Sequence, residues 1–330
     1  MMKKWMEYTA AAVLAAAALG CVGCGGTEKA ASSDGGKKNI AIVQIMQHGS
    51  LDASNKGFLD ALAENGYGPD KLNVDQQNAQ GDQSNLKSIT SRFKTAQPDL
   101  ICAIGTPAAQ SVANEIANVP IVGIAITDYV QAKLVKSNEA PGTNVTGASD
   151  MNPATAQIDL AMKILPNAKT VGLMYCSSEV NSEIQANEMK AYAESLGLNV
   201  ETRTISSVND IQQAAESMVN DVDFIYVPTD NVIASSIPTL VKVTDEAKVP
   251  VFAAFEQAQK DGAFASLSVD YYRLGRQAGE MAAKILNGEA KPENMPIETQ
   301  KDLVVIINQK NAEALGITIP EDIAKNAKMI

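Results

Sequence analysis

The sequence predicts an α/β protein built from two doubly wound parallel-sheet lobes joined by a hinge. Two observations carry this. Apolar runs of strand length alternate with amphipathic helical segments, the pattern of βαβ units and a parallel sheet. The chain also repeats itself: Pro120 and Pro250 lie 130 positions apart, and the first strands of the two halves, opening at Ile40 and Val171, lie 131 apart.

In the first half, 40–45 (IAIVQI) reads as a strand and Asn55 to Asn65 as a helix stopped by Gly66. A short strand near 72–76, a helix from Ser84 to Ala96 and a strand at 99–104 follow. Gly105-Thr106-Pro107 opens a helix running to about Asn118, and 120–126 is the next strand. The second half predicts strands at 171–175, 198–205, 223–228 and 250–255, with helices at 183–196 and 208–220 and one opened by Thr229-Asp230-Asn231. A long amphipathic helix spans Asp270 to Asn287 before Gly288, and 303–308 is a last strand. When two such lobes face each other, the ligand belongs at the carboxyl ends of the strands, in the shared cleft. The chain is expected to cross between lobes near 146–150, 253–257 and 290–300. The corresponding domains are 39–147 plus 256–292 for the N-terminal lobe and 148–255 plus 293–330 for the C-terminal lobe.

Residues 1–20 read as a signal peptide. Lys3 and Lys4 precede an Ala/Val/Leu run from Thr9 to Leu19, too short to span a bilayer, that ends at Ala18-Leu19-Gly20-Cys21. Small residues before a cysteine resemble a bacterial lipobox, so Cys21 is the expected lipidation site, with Cys24 competing. Residues 21–38 then form the anchor cysteine and a flexible tether rich in Gly, Ser, Ala and Lys. Cys102 and Cys176 sit on separate apolar segments with no metal or redox spacing, which predicts two small buried hydrophobes.

The remaining composition is exclusionary. A net charge of -11 and a pI near 4.7, with no basic run, exclude a nucleic-acid footprint. No phosphate loop, GxGxxG, HExxH or GxSxG motif is present, and His48 is the sole histidine. The chain therefore lacks an enzyme's constellation, and neither a cofactor nor a metal is expected.

Five segments carry a family resemblance: Asn78-Ala-Gln-Gly81, Gly105-Thr-Pro-Ala-Ala-Gln110, Asn144-Val-Thr-Gly147, Tyr226-Val-Pro-Thr-Asp-Asn231 and Asp270-Tyr-Tyr-Arg-Leu-Gly275. With them the chain resembles the substrate-binding proteins of ABC importers, in the subfamily associated with tryptophan and tyrosine uptake. The resemblance implies a type I periplasmic-binding-protein fold of the Venus-flytrap kind. It implies an amino-acid ligand, aromatic in this subfamily, and a permease with its ATPase as partner. A lipid-anchored extracytoplasmic monomer is expected, in contact with the membrane only through its anchor. The rival readings are a sensory or adhesive surface lipoprotein of the same fold, or a binder of nucleosides or sugars.

The strand ends carry polar groups suited to a zwitterion. Thr106 before Pro107 is a helix start whose hydroxyl caps the turn, leaving the N–H groups of Ala108 and Ala109 to hold a carboxylate. Asp230, flanked by Thr229 and Asn231, is the preferred ammonium partner, with Asp128 and Glu256 as alternatives. Either aspartate can instead be only a helix cap. Ser177, Ser178, Glu179 and Asn181 form the loop equivalent to 47–52 and are placed on the C-terminal side of the cleft. His48 follows the first strand at the cleft mouth, as ligand contact or as solvated loop. Phe255, Tyr129 and Tyr175 lie at or near strand ends, where stacking and core packing are both open to them.

Overall fold

The computed structural model describes residues 36–330; the targeting segment, Cys21, Cys24 and the tether to residue 35 lie outside the described residues. The first lobe begins with β1 (Lys38–Gln44), α1 (Gly49–Glu64), β2 (Leu72–Asn78), α2 (Gln83–Ala96), β3 (Leu100–Ile104), α3 (Thr106–Glu115), β4 (Ile121–Ile126) and β5 (Val145–Ser149). The second holds α4 (Ala154–Ile164), β6 (Thr170–Cys176), α5 (Val180–Ser195), β7 (Asn199–Ile205), α6 (Ile211–Glu216), β8 (Phe224–Val227), α7 (Asn231–Ala234), α8 (Ile237–Glu246), β9 (Val251–Ala253), α9 (Gln257–Lys260) and β10 (Ala265–Ser268). The chain then returns to the first lobe for α10 (Tyr271–Leu286) and β11 (Glu298–Thr299). It ends in the second with β12 (Val304–Ile307), α11 (Gln309–Leu315), α12 (Glu321–Ala324) and β13 (Lys328–Met329).

The first sheet runs β11-β5-β4-β3-β1-β2 and the second β13-β12-β10-β9-β8-β6-β7. All pairings are parallel except β10 with β12. The internal repeat is thus a repeat of topology, β1 to β5 matching β6 to β10. Strands β3, β4 and β5 are buried at every position, because helices cover both faces of a parallel sheet. Cys102 and Cys176 are both free and buried.

Helix α10 is clamped onto α1 at backbone distance. A Cβ on Gly275 would fall 1.9 Å from the Ser54 carbonyl oxygen, and one on Gly57 would fall 2.1 Å from the Tyr272 oxygen. Only glycine permits this approach, and Ser54 Oγ adds a hydrogen bond to the Tyr271 carbonyl at 3.1 Å. The segment that returns after β10 is therefore packed into the same lobe as α1.

The crossings fall at 150–153, 269–270 and 300–303, between elements of opposite sheets. The second differs from the expected 253–257. Residues 263–268 carry no strand pattern of their own, yet β10 pairs with β9 and β12, so 256–268 belongs to the C-terminal lobe. Likewise β11 pairs with β5, which keeps 298–299 in the N-terminal lobe. The stretch Ala-Ser-Leu-Ser is short and weakly apolar; its strand character comes from the partners on either side. Helix α1 starts at Gly49 rather than Asn55, since Ser50, Leu51 and Ser54 are buried and extend its inner face by almost two turns. The segment 208–220 forms only a short 3-10 turn and α6. Among the described residues no helix is long and apolar enough to cross a membrane.

Candidate functional site

In a doubly wound sheet the strand order reverses at one point, where the loops at the carboxyl ends part and leave a crevice. Here that point lies between β1 and β3 in one lobe and between β6 and β8 in the other. The loops from the two points meet. His48, after β1, lies 3.2 Å through Nε2 from Asn231 Oδ1, after β8. Thr127, after β4, meets Thr229 hydroxyl to hydroxyl at 2.9 Å. Between the lobes is a small cavity. Its apolar walls are Leu51, Ala125, Ala234 and Phe255; its polar walls are His48, Thr127, Asp150, Asn181, Thr229, Asp230, Asn231 and Tyr271.

Ala125 has φ +56°, left-handed for a residue with a Cβ, and the register of β4 against β5 shifts there. A bulge at a strand end re-aims the residues that follow. Here they include Thr127, whose hydroxyl donates to Asp150 Oδ1 at 3.2 Å. Tyr271 donates to Asp150 Oδ2 at 3.0 Å. Asp150 is buried among neutral donors, its own backbone N–H included, so desolvation lifts its carboxyl to about 6 despite these hydrogen bonds. Neither lysine nor arginine lines the cavity.

Asp230 is engaged otherwise. Its Oδ1 accepts from the Ile233 N–H at 2.9 Å, capping α7, and its Oδ2 accepts from the Cys176 N–H at 2.6 Å. Glu179 is buried beside it. Its Oε2 accepts from Asn181 Nδ2 and from both the N–H and Nδ2 of Asn231. Burial raises both acids, and the charge of Asp230 raises Glu179 further. Asn181 Nδ2 also donates to the Thr229 carbonyl, and this leaves its buried Oδ1 without a partner.

Of the residues expected at the site, His48, Asn181, Thr229, Asp230, Asn231 and Phe255 line the cavity, and Glu179 stands directly behind Asn231. The helix start at Thr106 differs in detail. Gly105 is the cap residue, Thr106 is the first helical residue with a buried, unpartnered hydroxyl, and the Ala109 N–H donates to the Gly105 carbonyl. Only Ala108, of the two alanines, keeps an N–H without an intrahelical acceptor at that turn. Asp128 lies apart from the walls, closing its own turn by accepting from the N–H groups of Val130 and Gln131. Ser177 is exposed and bonded to Ile205. Glu256 pairs with Lys328 on the outside of the C-terminal lobe. Tyr129 is core, its hydroxyl donating to the Gly123 carbonyl, and Tyr175 is half-buried away from the walls. Asp150, Thr127 and Ala125 also line the cavity, with no motif to announce them. Their one signal was position, at the carboxyl ends of adjacent strands with Asp150 three residues beyond the Asn144–Gly147 motif.

Comparison with known proteins agrees with this architecture. The chain is 41% identical over 282 residues to a tyrosine-binding protein of Clostridioides difficile, covering 85% of this chain and 81% of that one. A structure from Streptococcus pneumonia, an ABC domain in complex with L-Trp, is 41% identical and superposes with a TM-score of 0.86 over 89% of this chain and 99% of that one. A substrate-binding protein with adhesive properties from Clostridium difficile, solved ligand-free and open, has the same identity and coverage but a TM-score of 0.68. Equal identity with unequal superposition places the lobes here in an arrangement nearer the former. The profile of the ABC transporter substrate binding proteins matches residues 39–330. With that match running from the first strand to the last residue, this chain belongs to the ABC transporter substrate-binding protein family, whose members bind rather than catalyse.

Proposed function

We propose that the chain captures an aromatic α-amino acid between its lobes and delivers it to an ABC permease with its ATPase. The observation that carries this is the chemistry of the walls: Asp150, Asn181 Oδ1 and His48 Nδ1 offer acceptors, and no cation neutralises them. A buried carboxylate with no positive partner is costly, and a ligand ammonium repays that cost. Asp150 takes the ammonium in place of Asp230, whose oxygens are occupied by backbone N–H groups. The Thr106 hydroxyl and the Ala108 N–H, at the N-terminal turn of α3, are the donors assigned to the ligand carboxylate, although both are buried beside the cavity and neither is one of its walls. Leu51, Ala125, Ala234 and Phe255 pack on the side chain. The relatives named for tyrosine and solved with L-Trp support the aromatic class.

The protein works outside the cytoplasm as a monomer, held at the membrane by a lipid on Cys21. Cys21→Ala is expected to abolish lipid labelling; labelling that survives it and vanishes with Cys24→Ala would move the anchor. The ligand class is tested by thermal shift and titration calorimetry with L-tyrosine, L-tryptophan, L-phenylalanine, sugars and nucleosides. A ligand at a hundred times its Kd stabilises by about 2.7 kcal/mol. Stabilisation by a sugar or nucleoside with none by an amino acid would overturn the reading.

A further inference from the structure

The hydrogen bonds around His48 fix its tautomer. Glu179 Oε2 accepts from the backbone N–H of Asn231 at 3.2 Å and from its Nδ2 at 2.7 Å. The Asn231 amide is thereby oriented with its NH₂ toward Glu179 and its Oδ1 toward His48. An amide oxygen only accepts, so the proton in the 3.2 Å contact belongs to His48 Nε2. Burial disfavours the imidazolium, so the ring is neutral and carries that proton alone. Nδ1 is left as an acceptor. It is buried and bonds to nothing, and it does not cap α1 although His48 occupies the N-cap position.

His48 is also a wall of the cavity, beside Leu51 and Ala234. A buried acceptor without a donor costs free energy that a ligand donor recovers. We propose that His48 Nδ1 reads a hydrogen-bond donor on the ligand side chain, the phenol O–H of tyrosine or the indole N–H of tryptophan, and so discriminates against phenylalanine. This rests on the amino-acid reading above. Asn231 and Glu179 are positioning residues, holding the ring in the tautomer that leaves Nδ1 free. A site built around a hydrogen bond rejects the analogue that lacks it, because its own polar group stays unpaired.

Because the chain has one histidine, nitrogen-15 NMR of the imidazole needs no assignment. The expected spectrum at neutral pH has a protonated Nε2 and a bare Nδ1. L-tyrosine or L-tryptophan should move the Nδ1 resonance in the direction of hydrogen bonding, and L-phenylalanine should leave it in place. By calorimetry the first two should bind about tenfold or more tighter than the third. His48→Phe should bring all three to the phenylalanine level, and His48→Gln, which keeps an acceptor, should restore part of the difference. A protonated Nδ1, or equal affinity for the three amino acids in the parent, overturns the proposal and leaves the amino-acid reading standing. No heat with any of them overturns both. Should His48→Phe fail to fold, the spectra and affinities of the parent still decide.

Discussion

Asp150 stands where β5 ends and the first crossing begins, and its burial sets a cost the fold bears for binding. Its carboxyl titrates at about 6, against 3.8 for an exposed aspartate. The folded state thus holds that proton more tightly than the unfolded chain. The resulting destabilisation is complete above pH 6, about 3 kcal/mol, and fades as pH falls toward 3.8. Asp150→Asn keeps the shape and removes the charge, so the ligand-free variant should be more stable at pH 7 and lose this part of the pH slope, measured by urea unfolding at pH 5 and pH 7. Amino-acid binding should weaken by roughly 30-fold or more, since the ammonium loses its partner. In the parent, affinity should hold above pH 6 and fall about tenfold per unit below, as protonation of Asp150 competes with the ammonium. A flat profile from pH 7 to 4.5 would place the ammonium elsewhere.

Helices α1 and α10 show how far one element depends on another distant in sequence. They touch through Gly57 and Gly275 at distances no Cβ allows. Gly275→Ala must push the Ser54 backbone away, and a cost of about 1–3 kcal/mol is expected from overpacking. Denaturant unfolding should show that loss, while the ligand spectrum should not change, since neither glycine lines the cavity. An unchanged midpoint would mean the helices separate freely. The same dependence marks the limit of reading from sequence. Strands β1, β3, β4 and β6 were legible because continuous apolar runs need no partner to declare themselves. Strand β10 was not, because Ala265–Ser268 gains its character from β9 and β12. At the site, Asp128, Asp150 and Asp230 all follow strands, and local pattern does not distinguish a cap from a cleft carboxylate. Asp128 proved to close a turn and Asp230 to cap α7, while Asp150 faces the cavity with spare capacity. The difference lies in the neighbouring strand and in α10, more than a hundred residues away.

At the scale of the whole molecule, three short crossings join two rigid lobes, and what holds them together is few and local. Among the described residues two direct hydrogen bonds join the facing loops of the lobes, His48 to Asn231 and Thr127 to Thr229. The remaining bond of Thr229 runs within its own lobe, its N–H donating to Gln185 Oε1 at 2.8 Å. Gln185 Nε2 in turn donates to the carbonyl of Asn152, in the first crossing. Thr229 therefore links the opposite lobe to the hinge segment. Removing one neutral hydrogen bond costs about 1 kcal/mol net, which shifts an equilibrium between open and closed lobes roughly fivefold toward open. Thr229→Val removes the hydroxyl and keeps the shape. Small-angle scattering without ligand should give a larger radius of gyration than for the parent. Ligand affinity should weaken by about the factor the closed population loses, because a binding-competent state that is less populated lowers apparent affinity in proportion. Thr229→Ser retains the hydroxyl and should behave as the parent in both measurements. If Thr229→Val left the radius unchanged and affinity still fell, Thr229 would be acting on the ligand directly, and closure would rest on the crossings and on His48.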